Sequence, residues 1–347
     1  MRLDAAIPAP TDPLLRYSLA ELSEIIFAAF AVAGVSTVAE IGAEGGAFTE
    51  HLVRWVSERG GGLVSIDPAP SAHVRYLAES SEAVTLLAET SHQVLPRLGA
   101  HDAYLLDGDH NYFTVKGELE MIHATCHGAD TVPLLVLQDI GWPAGRRDQY
   151  YEPEALPEGA TRPYDFGGVV PWSDTTFEGG FRGDGNFAFA TREGGPANGV
   201  RTALEDFLAD HAGYEALAVP CVFGLALVFP SSAPWAPELR SQLAVYDDNP
   251  LLARLESNRI LLYLSVIDLQ DRLARQRRRT AAVEAELGAA LERARTEVAI
   301  ANQAARAAAE QRDEAVAEAD AARASVPVEG ISARRQMLSR ALRLPPA

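Results

Sequence analysis

Short apolar runs alternate with amphipathic segments over the first 250 residues of the chain. Strands buried on both faces read as continuous apolar runs, and helices between them place neighbouring strands parallel. The pattern therefore predicts an α/β fold with a doubly wound, mostly parallel, Rossmann-like sheet. Five runs are predicted as strands, at 38–41, 63–66, 84–87, 104–106 and 134–137, with helices at 48–57, 72–79, 91–98 and 113–126.

Two further apolar runs follow at 214–219 and 224–229. The break between them is too short for a crossover helix, so these strands are predicted to pair antiparallel at one edge of the sheet. Residues 141–198 are rich in Gly, Pro, Trp, Tyr and Arg and show little periodicity. Because a loop of this length inside a domain is typical of a functional lid, the segment is predicted to be a lid or insertion.

Composition changes near residue 250, where glycine, proline and aromatic residues give way to Ala, Arg, Glu and Leu. Apolar residues then recur at steps of three and four, which predicts one long helix with a narrow apolar seam. We expect this seam to pair with a second copy of the chain in a coiled coil, and the alternative is a helix folded back on its own main domain. The seam residues are Leu252, Leu255, Leu262, Val266, Leu269, Leu273, Val283, Leu287, Leu291, Ala294, Val298, Ala301, Ala305 and Ala308.

These patterns divide the chain into four parts. A helical segment at 1–34 precedes a main domain at 35–245 that includes the insertion. The predicted coiled coil spans 250–324, and a basic, flexible tail is expected at 325–347.

Charge and cysteine content bear on the partners of the chain. Its 347 residues include 48 acidic and 30 basic side chains, a formal net charge of −18. This balance repels phosphate backbones, so nucleic acid is not expected as a partner. The N-terminus lacks a signal pattern and no apolar run is long enough to span a bilayer, which predicts no integral membrane segment. The two cysteines lie far apart, which favours a reducing, cytoplasmic location.

Polar residues follow the ends of the predicted strands, where open parallel sheets bind their ligands. After the first strand comes a glycine-rich turn that runs from Glu40 through Gly42 to Gly46, and after the second comes Asp67. The turn does not match the dinucleotide fingerprint G-x-G-x-x-G, because Glu44 occupies the second glycine position. A carboxylate there would face a pyrophosphate, which argues against NAD. Asp67 is placed to accept hydrogen bonds from a ribose diol.

The spacing Glu40-x-Gly42-x-x-x-Gly46 followed by Asp67 resembles the cofactor motif of class I S-adenosylmethionine-dependent methyltransferases. The resemblance implies that S-adenosylmethionine (SAM) is the cofactor and that it binds at the ends of the first strands. The residues expected to bind it are Glu40, Gly42, Gly46, Asp67, Thr90, Ser91 and Asp107.

The residues after the fourth and fifth predicted strands point to one subgroup of these methyltransferases. The sequence D-G-D-H at 107–110 and the pair Q-D at 138–139 resemble metal-dependent sugar O-methyltransferases of the macrocin and mycinamicin kind, with their cephalosporin-hydroxylase-related relatives. The resemblance implies that Mg²⁺ is held by Asp107, Gln138 and Asp139, and that the general base is His110. The family commonly has an acidic or histidine residue at the position of Gln138, and a neutral amide oxygen binds Mg²⁺ more weakly than a carboxylate. The need for metal therefore stays open.

Two neighbouring residues keep alternative interpretations. Asp109 is either a further metal ligand or the N-cap of the next helix. His110 is either the base or a histidine that caps the helix. The chemistry favours a base, because methyl transfer to a hydroxyl requires removal of its proton and a histidine of near-neutral pKa can accept it.

The leading interpretation is a SAM-dependent O-methyltransferase that acts with metal assistance on the hydroxyl of a small molecule, sugar or glycan. Aromatic rings and guanidinium groups in the insertion suit a ring-shaped polar acceptor. They belong to Trp142, Arg146, Arg147, Tyr150, Tyr151, Tyr164 and Trp172. The alternative is a catalytically degenerate methyltransferase fold that serves as a scaffold for the coiled coil, which Gln138 favours slightly. A homo-oligomer is expected through the helix after residue 250.

Overall fold

A computed structural model describes Leu15 and residues 17–325 of the protein. The chain divides into two compact units, Met1–Arg272 and Leu273–Ala347. The expected flexible tail at 325–347 lies outside the described residues except for Ser325, and so do residues 1–14 of the predicted N-terminal segment. The rest of that segment is largely helical, with a 3-10 turn at Leu19–Leu22 followed by α1 at Ser23–Ala33.

Strands and helices alternate along most of the first unit. The further helices are α2 (Ala47–Glu58), α3 (Ala72–Ser80), α4 (Ser91–Val94), α5 (Tyr112–Gly128), α6 (Val200–Asp210), α7 (Ala236–Leu243) and α8 (Pro250–Ala324). The strands are β1 (Thr37–Ile41), β2 (Gly62–Ile66), β3 (Val84–Leu87), β4 (Ala103–Leu106), β5 (Leu134–Gln138), β6 (Gln149–Tyr150), β7 (Tyr164–Asp165), β8 (Ala188–Ala190), β9 (Tyr214–Val219) and β10 (Leu225–Pro230).

The main sheet in the described part of the chain has seven strands, in the order β3-β2-β1-β4-β5-β10-β9. Strands β1 to β5 pair parallel, whereas β10 pairs antiparallel with both β5 and β9. The prediction of a mostly parallel sheet with an antiparallel pair at one edge is confirmed. The antiparallel strand is β10, which lies between β5 and the edge strand β9. The connection from β9 to β10 is too short to cross the sheet, so the two strands pair antiparallel.

Helices cover both faces of this sheet. Successive strand residues point to opposite faces, so that Val38 of β1 packs with α1, α2 and α7, whereas Ala39 and Ile41 pack with α5 and α6. The same alternation occurs in β4, where Leu105 and Leu106 belong to opposite cores. Burial on both faces explains why these strands read as continuous apolar runs.

The insertion at 141–198 is more ordered than its weak periodicity suggests. Strands β6, β8 and β7 form a small antiparallel sheet in that order. The Asp148 carboxylate accepts hydrogen bonds from the backbone N–H groups of Tyr112 and Gly199, both at 2.7 Å, and from the Tyr150 hydroxyl. The insertion is therefore fastened to the start of α5 and to the residue before α6. Arg147 is fully buried within it.

Helix α8 packs on the first unit through its early turns. Ile260 and Leu264 are buried there in a cluster with Leu15, Val170 and Phe223. Of the predicted seam, Leu255, Leu262 and Leu269 are 56%, 60% and 63% exposed. Its members Leu252 and Val266 are partly buried, and Leu252 packs against the core beside β1. A long C-terminal helix is confirmed, whereas its pairing in a coiled coil stays a prediction. Among the described residues, no helix is apolar enough over a sufficient length to cross a membrane.

Candidate functional site

The turn after β1 depends on a glycine. Gly42 has a φ of +84°, and a Cβ atom on it would lie 2.2 Å from the carbonyl oxygen of Asp107. The N–H of Gly42 donates to the carbonyl of Ile66, and the N–H of Asp107 donates to the carbonyl of Ile41, both at 2.9 Å. The ends of β1, β2 and β4 are thus held together, and Asp107 lies against the turn.

Asp67 shapes this turn. Its Oδ2 accepts hydrogen bonds from the backbone N–H groups of Ala43 and Glu44 at 3.0 and 3.1 Å, and its Oδ1 accepts one from Ala69 at 2.8 Å. A carboxylate offers about four acceptor positions, so the side chain keeps capacity for one more donor. Binding of a ribose by Asp67 stays a prediction, and the hydrogen bonds add a role in holding the turn.

The Glu40 carboxylate bonds to protein hydroxyl groups. It accepts hydrogen bonds from Thr49 Oγ1 of α2 at 2.9 and 3.0 Å and from Ser65 Oγ of β2 at 2.8 Å. Burial raises the pKa of Glu40 to about 7, although the two hydroxyl donors lower it. Glu40 therefore connects β1 with α2 and β2 through hydrogen bonds. A direct contact of Glu40 with the cofactor stays a prediction.

Three of the predicted site residues form one cluster at the carboxyl ends of β4 and β5. One ligand atom each of Asp107, His110 and Asp139 lies within 4.8 Å of the others, an arrangement that could hold a metal ion. This trio is called the acid–histidine cluster below. His110 Nδ1 lies 3.3 Å from Asp139 Oδ2, and both side chains are buried. Asp139 directly follows β5 and has a φ of +62°, so the backbone leaves the extended conformation of the strand at this residue.

Burial and mutual repulsion set the charge state of these acids. Burial raises the pKa of Asp107, and the nearby carboxylates of Asp139 and Glu44 raise it further. Burial also raises the pKa of Asp139, against the lowering effect of His110. A bound cation would favour the charged form of both carboxylates, so the cluster has the electrostatic character of a cation site.

Gln138 directly precedes Asp139 and is buried. Its Nε2 donates to the carbonyl oxygen of Tyr17, whereas its buried Oε1 has no hydrogen-bond partner among the residues that the structure describes. A buried amide oxygen without a donor is costly, and a cation or a ligand hydroxyl would satisfy it. This geometry is compatible with the expected role of Gln138 as a ligand.

Asp109 is not the N-cap of α5. The cap is Asn111, whose Oδ1 accepts from the N–H of Thr114 at 2.9 Å. Asp109 instead accepts hydrogen bonds from the Asn111 side-chain amide at 2.5 Å and from the Tyr151 backbone N–H at 3.4 Å. The capping interpretation of Asp109 was wrong, because α5 begins at Tyr112, two residues later than an N-cap at Asp109 requires.

Thr90 and Ser91, after β3, are engaged within the protein. Thr90 forms a capping box with Gln93 at the start of α4. The Ser91 hydroxyl donates to Glu118 of α5 at 2.5 Å, and burial raises the pKa of Glu118 to about 8. Contact of Thr90 and Ser91 with a cofactor stays a prediction. Glu118 escaped prediction because it lies within a helix rather than at a strand end.

Two tyrosines border the acid–histidine cluster. The hydroxyl of Tyr17 donates to Glu44 at 3.2 Å, and the ring of Tyr151 lies 5.9 Å from the ring of His110. Burial raises the pKa of Tyr151, and the charges of Asp139 and Asp107 raise it further. The residue as a whole nevertheless stays 47% exposed, so a ligand can contact it. Tyr17 escaped prediction because no local pattern links the N-terminal segment to strands far along the chain.

Comparison with known proteins agrees with the fold of this region. Residues 39–129, from β1 to the end of α5, match the family model of a methyltransferase domain. The match spans part of the first unit. A search of curated proteins found no match.

Several solved structures resemble the chain in fold. The methyltransferase PaMTH1 of Podospora anserina, with S-adenosylhomocysteine (SAH) bound, is 15% identical, with a TM-score of 0.38 over 62% of this chain and 79% of that one. The N-terminal domain of EvdMO1, crystallised with SAH and D-fucose, is 15% identical, with a TM-score of 0.33 over 62% and 82%. RosA of Streptomyces davawensis, an N,N-8-amino-8-demethyl-D-riboflavin dimethyltransferase, is 18% identical, with a TM-score of 0.35 over 61% and 53%. Similarity this low establishes neither a shared activity nor a shared substrate.

Proposed function

We propose that the protein is a SAM-dependent O-methyltransferase that methylates a hydroxyl of a sugar, a glycan or a similar ring-shaped small molecule. The observation that carries the proposal is the acid–histidine cluster, which lies beside the Gly42 turn in a chain segment that matches a methyltransferase domain. Ligands of open parallel sheets bind at this edge, beyond the carboxyl ends of the strands.

The cofactor is proposed to lie along the turn from Gly42 to Gly46, with its ribose near Asp67. Both glycines have positive φ, and a Cβ atom would meet the Asp107 backbone at Gly42 and the Val74 side chain at Gly46. The glycines thus allow a tight turn that packs against the end of β4 and against α3. Thr90 and Ser91 would border the adenosine from the end of β3.

His110 is proposed to accept the proton of the acceptor hydroxyl. Nδ1 lies 3.3 Å from Asp139 Oδ2, so a proton on Nδ1 of the neutral ring would face the carboxylate and leave Nε2 as the acceptor. When bound, SAM would supply the methyl group, and its sulfur would keep the electron pair of the broken carbon–sulfur bond, which leaves SAH. His110 would take the proton that the acceptor hydroxyl loses as its oxygen bonds to the methyl carbon. Tyr151 is suited to stack against the acceptor ring, because it is exposed beside His110.

A divalent cation such as Mg²⁺ is proposed to be held by Asp107, Asp139 and Gln138. The residues fit this role, because two carboxylates converge there and the buried Oε1 of Gln138 has no hydrogen-bond partner in the described part of the chain. When bound, such a cation orients neighbouring hydroxyls and lowers their pKa. The chain itself places His110 beside Asp107 and Asp139, so the base lies next to the proposed cation site.

Transfer of a radiolabelled methyl group from SAM to a panel of sugars, glycosides and catechols tests the proposal. His110→Ala should reduce the rate by about 10²- to 10⁴-fold, since it removes the general base, and should leave SAH affinity unchanged. His101→Ala, which alters a histidine bonded to the carbonyl of Gly99, is the control and should retain activity. A chain that binds SAH but methylates no hydroxyl would support the scaffold alternative instead.

We also propose that the chain forms a homo-oligomer through α8. From residue 273 onward every described residue of the helix except Ala274 is exposed, including the seam residues Leu287 and Leu291. Apolar side chains at heptad spacing gain stability when a second helix covers them. The supporting observation is that the seam residues Leu255, Leu262 and Leu269 stay exposed while Ile260 and Leu264 pack on the first unit.

A further inference from the structure

The early turns of α8 contact the connection between β9 and β10. Glu256 Oε1 accepts a hydrogen bond from the backbone N–H of Phe223 at 2.8 Å. Arg259 donates to both carboxylate oxygens of Glu256, at 2.7 and 2.6 Å, and its guanidinium lies 4.9 Å from the centre of the Phe223 ring. Only 11% of the Glu256 side chain is exposed. The pair is therefore packed against the domain, unlike a solvated ion pair on a helix surface.

The connection that Glu256 binds has a strained backbone. Val222 and Phe223 have φ values of +51° and +62°, in the left-handed region that side chains with a Cβ atom rarely adopt. Such conformations persist only where surrounding contacts hold them. The hydrogen bond from Phe223 to Glu256, together with the cation–π contact from Arg259, supplies contacts of this kind.

The same connection is bonded to the residues that follow Asp139. The carbonyl of Phe223 accepts from the N–H of Gly141 at 2.6 Å, and the carbonyl of Gly224 accepts from the N–H of Ile140 at 3.3 Å. A Cβ atom on Gly141 would lie 2.6 Å from the Phe223 carbonyl oxygen, so the two segments have no space between them. A displacement of Phe223 must therefore move the backbone directly after Asp139.

We infer that Glu256 of the long helix is a positioning residue for Asp139. It holds Phe223, and Phe223 holds the backbone that presents the Asp139 carboxylate to His110 and to a cation. Arg259 fixes the Glu256 side chain in this position. The inference rests on the proposed function, in which Asp139 is a ligand of the cation, and it gives α8 a role in the site as well as in assembly.

Calorimetric titration of the full-length protein with Mn²⁺ tests this role. Glu256→Ala should weaken Mn²⁺ binding by about 10-fold or more, the range found when a residue that orients a metal ligand is removed. Glu256→Gln keeps an acceptor for Phe223 N–H and should stay within about 3-fold of wild type. Glu292→Ala is the control, because it breaks an exposed Glu–Arg pair of the same spacing on the same helix and should change nothing. SAH affinity and the unfolding temperature, measured in parallel, separate a local effect from misfolding.

Each outcome bears on a different claim. Wild-type affinity in Glu256→Ala, with affinity lost in Asp139→Asn, would overturn the inference and leave the proposed function standing. An equal loss in Glu256→Gln and Glu256→Ala would also overturn it, because the charge rather than the hydrogen bond would then be responsible. No Mn²⁺ binding by the wild type would remove the metal part of the proposed function and this inference with it. If Glu256→Ala does not fold, Glu256→Asp, whose shorter side chain falls short of Phe223, replaces it.

Discussion

Two glycines of one turn, Gly42 and Gly45, differ in the space that they leave for a side chain. A Cβ atom on Gly42 would meet the Asp107 backbone, whereas one on Gly45 would have no atom within 4 Å. Gly42→Ala is therefore expected to destabilise the fold by about 1–3 kcal/mol or more and to weaken SAH binding, since the turn must move. Gly45→Ala should change stability by no more than about 0.5 kcal/mol. Denaturant unfolding of both variants checks this, and equal stabilities would contradict the turn geometry.

Glu40 gives the protein a measurable pH dependence. Its pKa is about 7 in the folded chain against an ordinary value of 4.5, so the folded state holds the proton more tightly. Between these two pH values the unfolded chain has lost the proton and the folded chain has kept it, so the contribution of Glu40 to stability falls as pH rises. The loss is on the order of 3 kcal/mol and is complete above pH 7.

The variant Glu40→Gln isolates this effect, because an amide carries no charge at any of these pH values. We expect its stability relative to wild type to increase as pH rises from 4.5 to 8 and to be level below 4.5. Urea unfolding at several pH values gives the difference. A difference that is constant with pH would show that Glu40 titrates normally.

The site residues that sequence reasoning identified share one property, which is their place at strand ends. Asp107, His110 and Asp139 are predictable because parallel strands bring their carboxyl ends to one edge. Their internal bonds are not predictable, because the partner of each is set by tertiary packing. Gln138 shows this most clearly, since its amide bonds to Tyr17, 121 residues away in the chain.

Among the elements, α8 combines apolar residues that are buried in its early turns with apolar residues that stay exposed along the predicted seam. The apolar spacing indicates a helix and a seam, but it does not distinguish the residues that pack on the chain's own domain. Ile260 and Leu264 are buried there, among charged and exposed neighbours that mask the pattern. The ordered structure inside the insertion escaped prediction for a related reason, because it depends on hydrogen bonds of Asp148 and Arg147 rather than on apolar periodicity.

Helix packing on the first unit can be tested at two leucines. Leu264 is 5% exposed and Leu251 is 63% exposed, although both lie in the early turns of α8. Leu264→Ala should destabilise the protein by about 2–5 kcal/mol through lost burial and a cavity. Leu251→Ala should cost less than about 0.5 kcal/mol. Comparable unfolding midpoints for the two variants would mean that this part of the helix does not dock as described.

For the molecule as a whole, the proposed assembly depends on the seam beyond residue 272. Val298 belongs to the predicted seam and Ile300 does not, yet the two are 59% and 62% exposed in the single chain. A charged residue within a coiled-coil seam must be desolvated, whereas one outside it stays in water. Val298→Asp should therefore dissociate the oligomer and Ile300→Asp should not, as measured by light scattering. A monomeric wild type, or identical behaviour of both variants, would contradict the proposed assembly.

Calorimetric titration of the full-length protein with SAH tests the central claim most directly, because every proposed role of the site depends on a SAM-type cofactor at the Gly42 turn. We expect one SAH per chain, displaced by SAM, with affinity reduced by about 1.5–3 kcal/mol in Asp67→Ala, which loses a charged hydrogen-bond acceptor. Asp130→Ala, which alters an exposed acid after α5, should bind like wild type. Absence of binding heat in the wild type, without competition between SAH and SAM, would show that the Gly42 turn does not bind this cofactor.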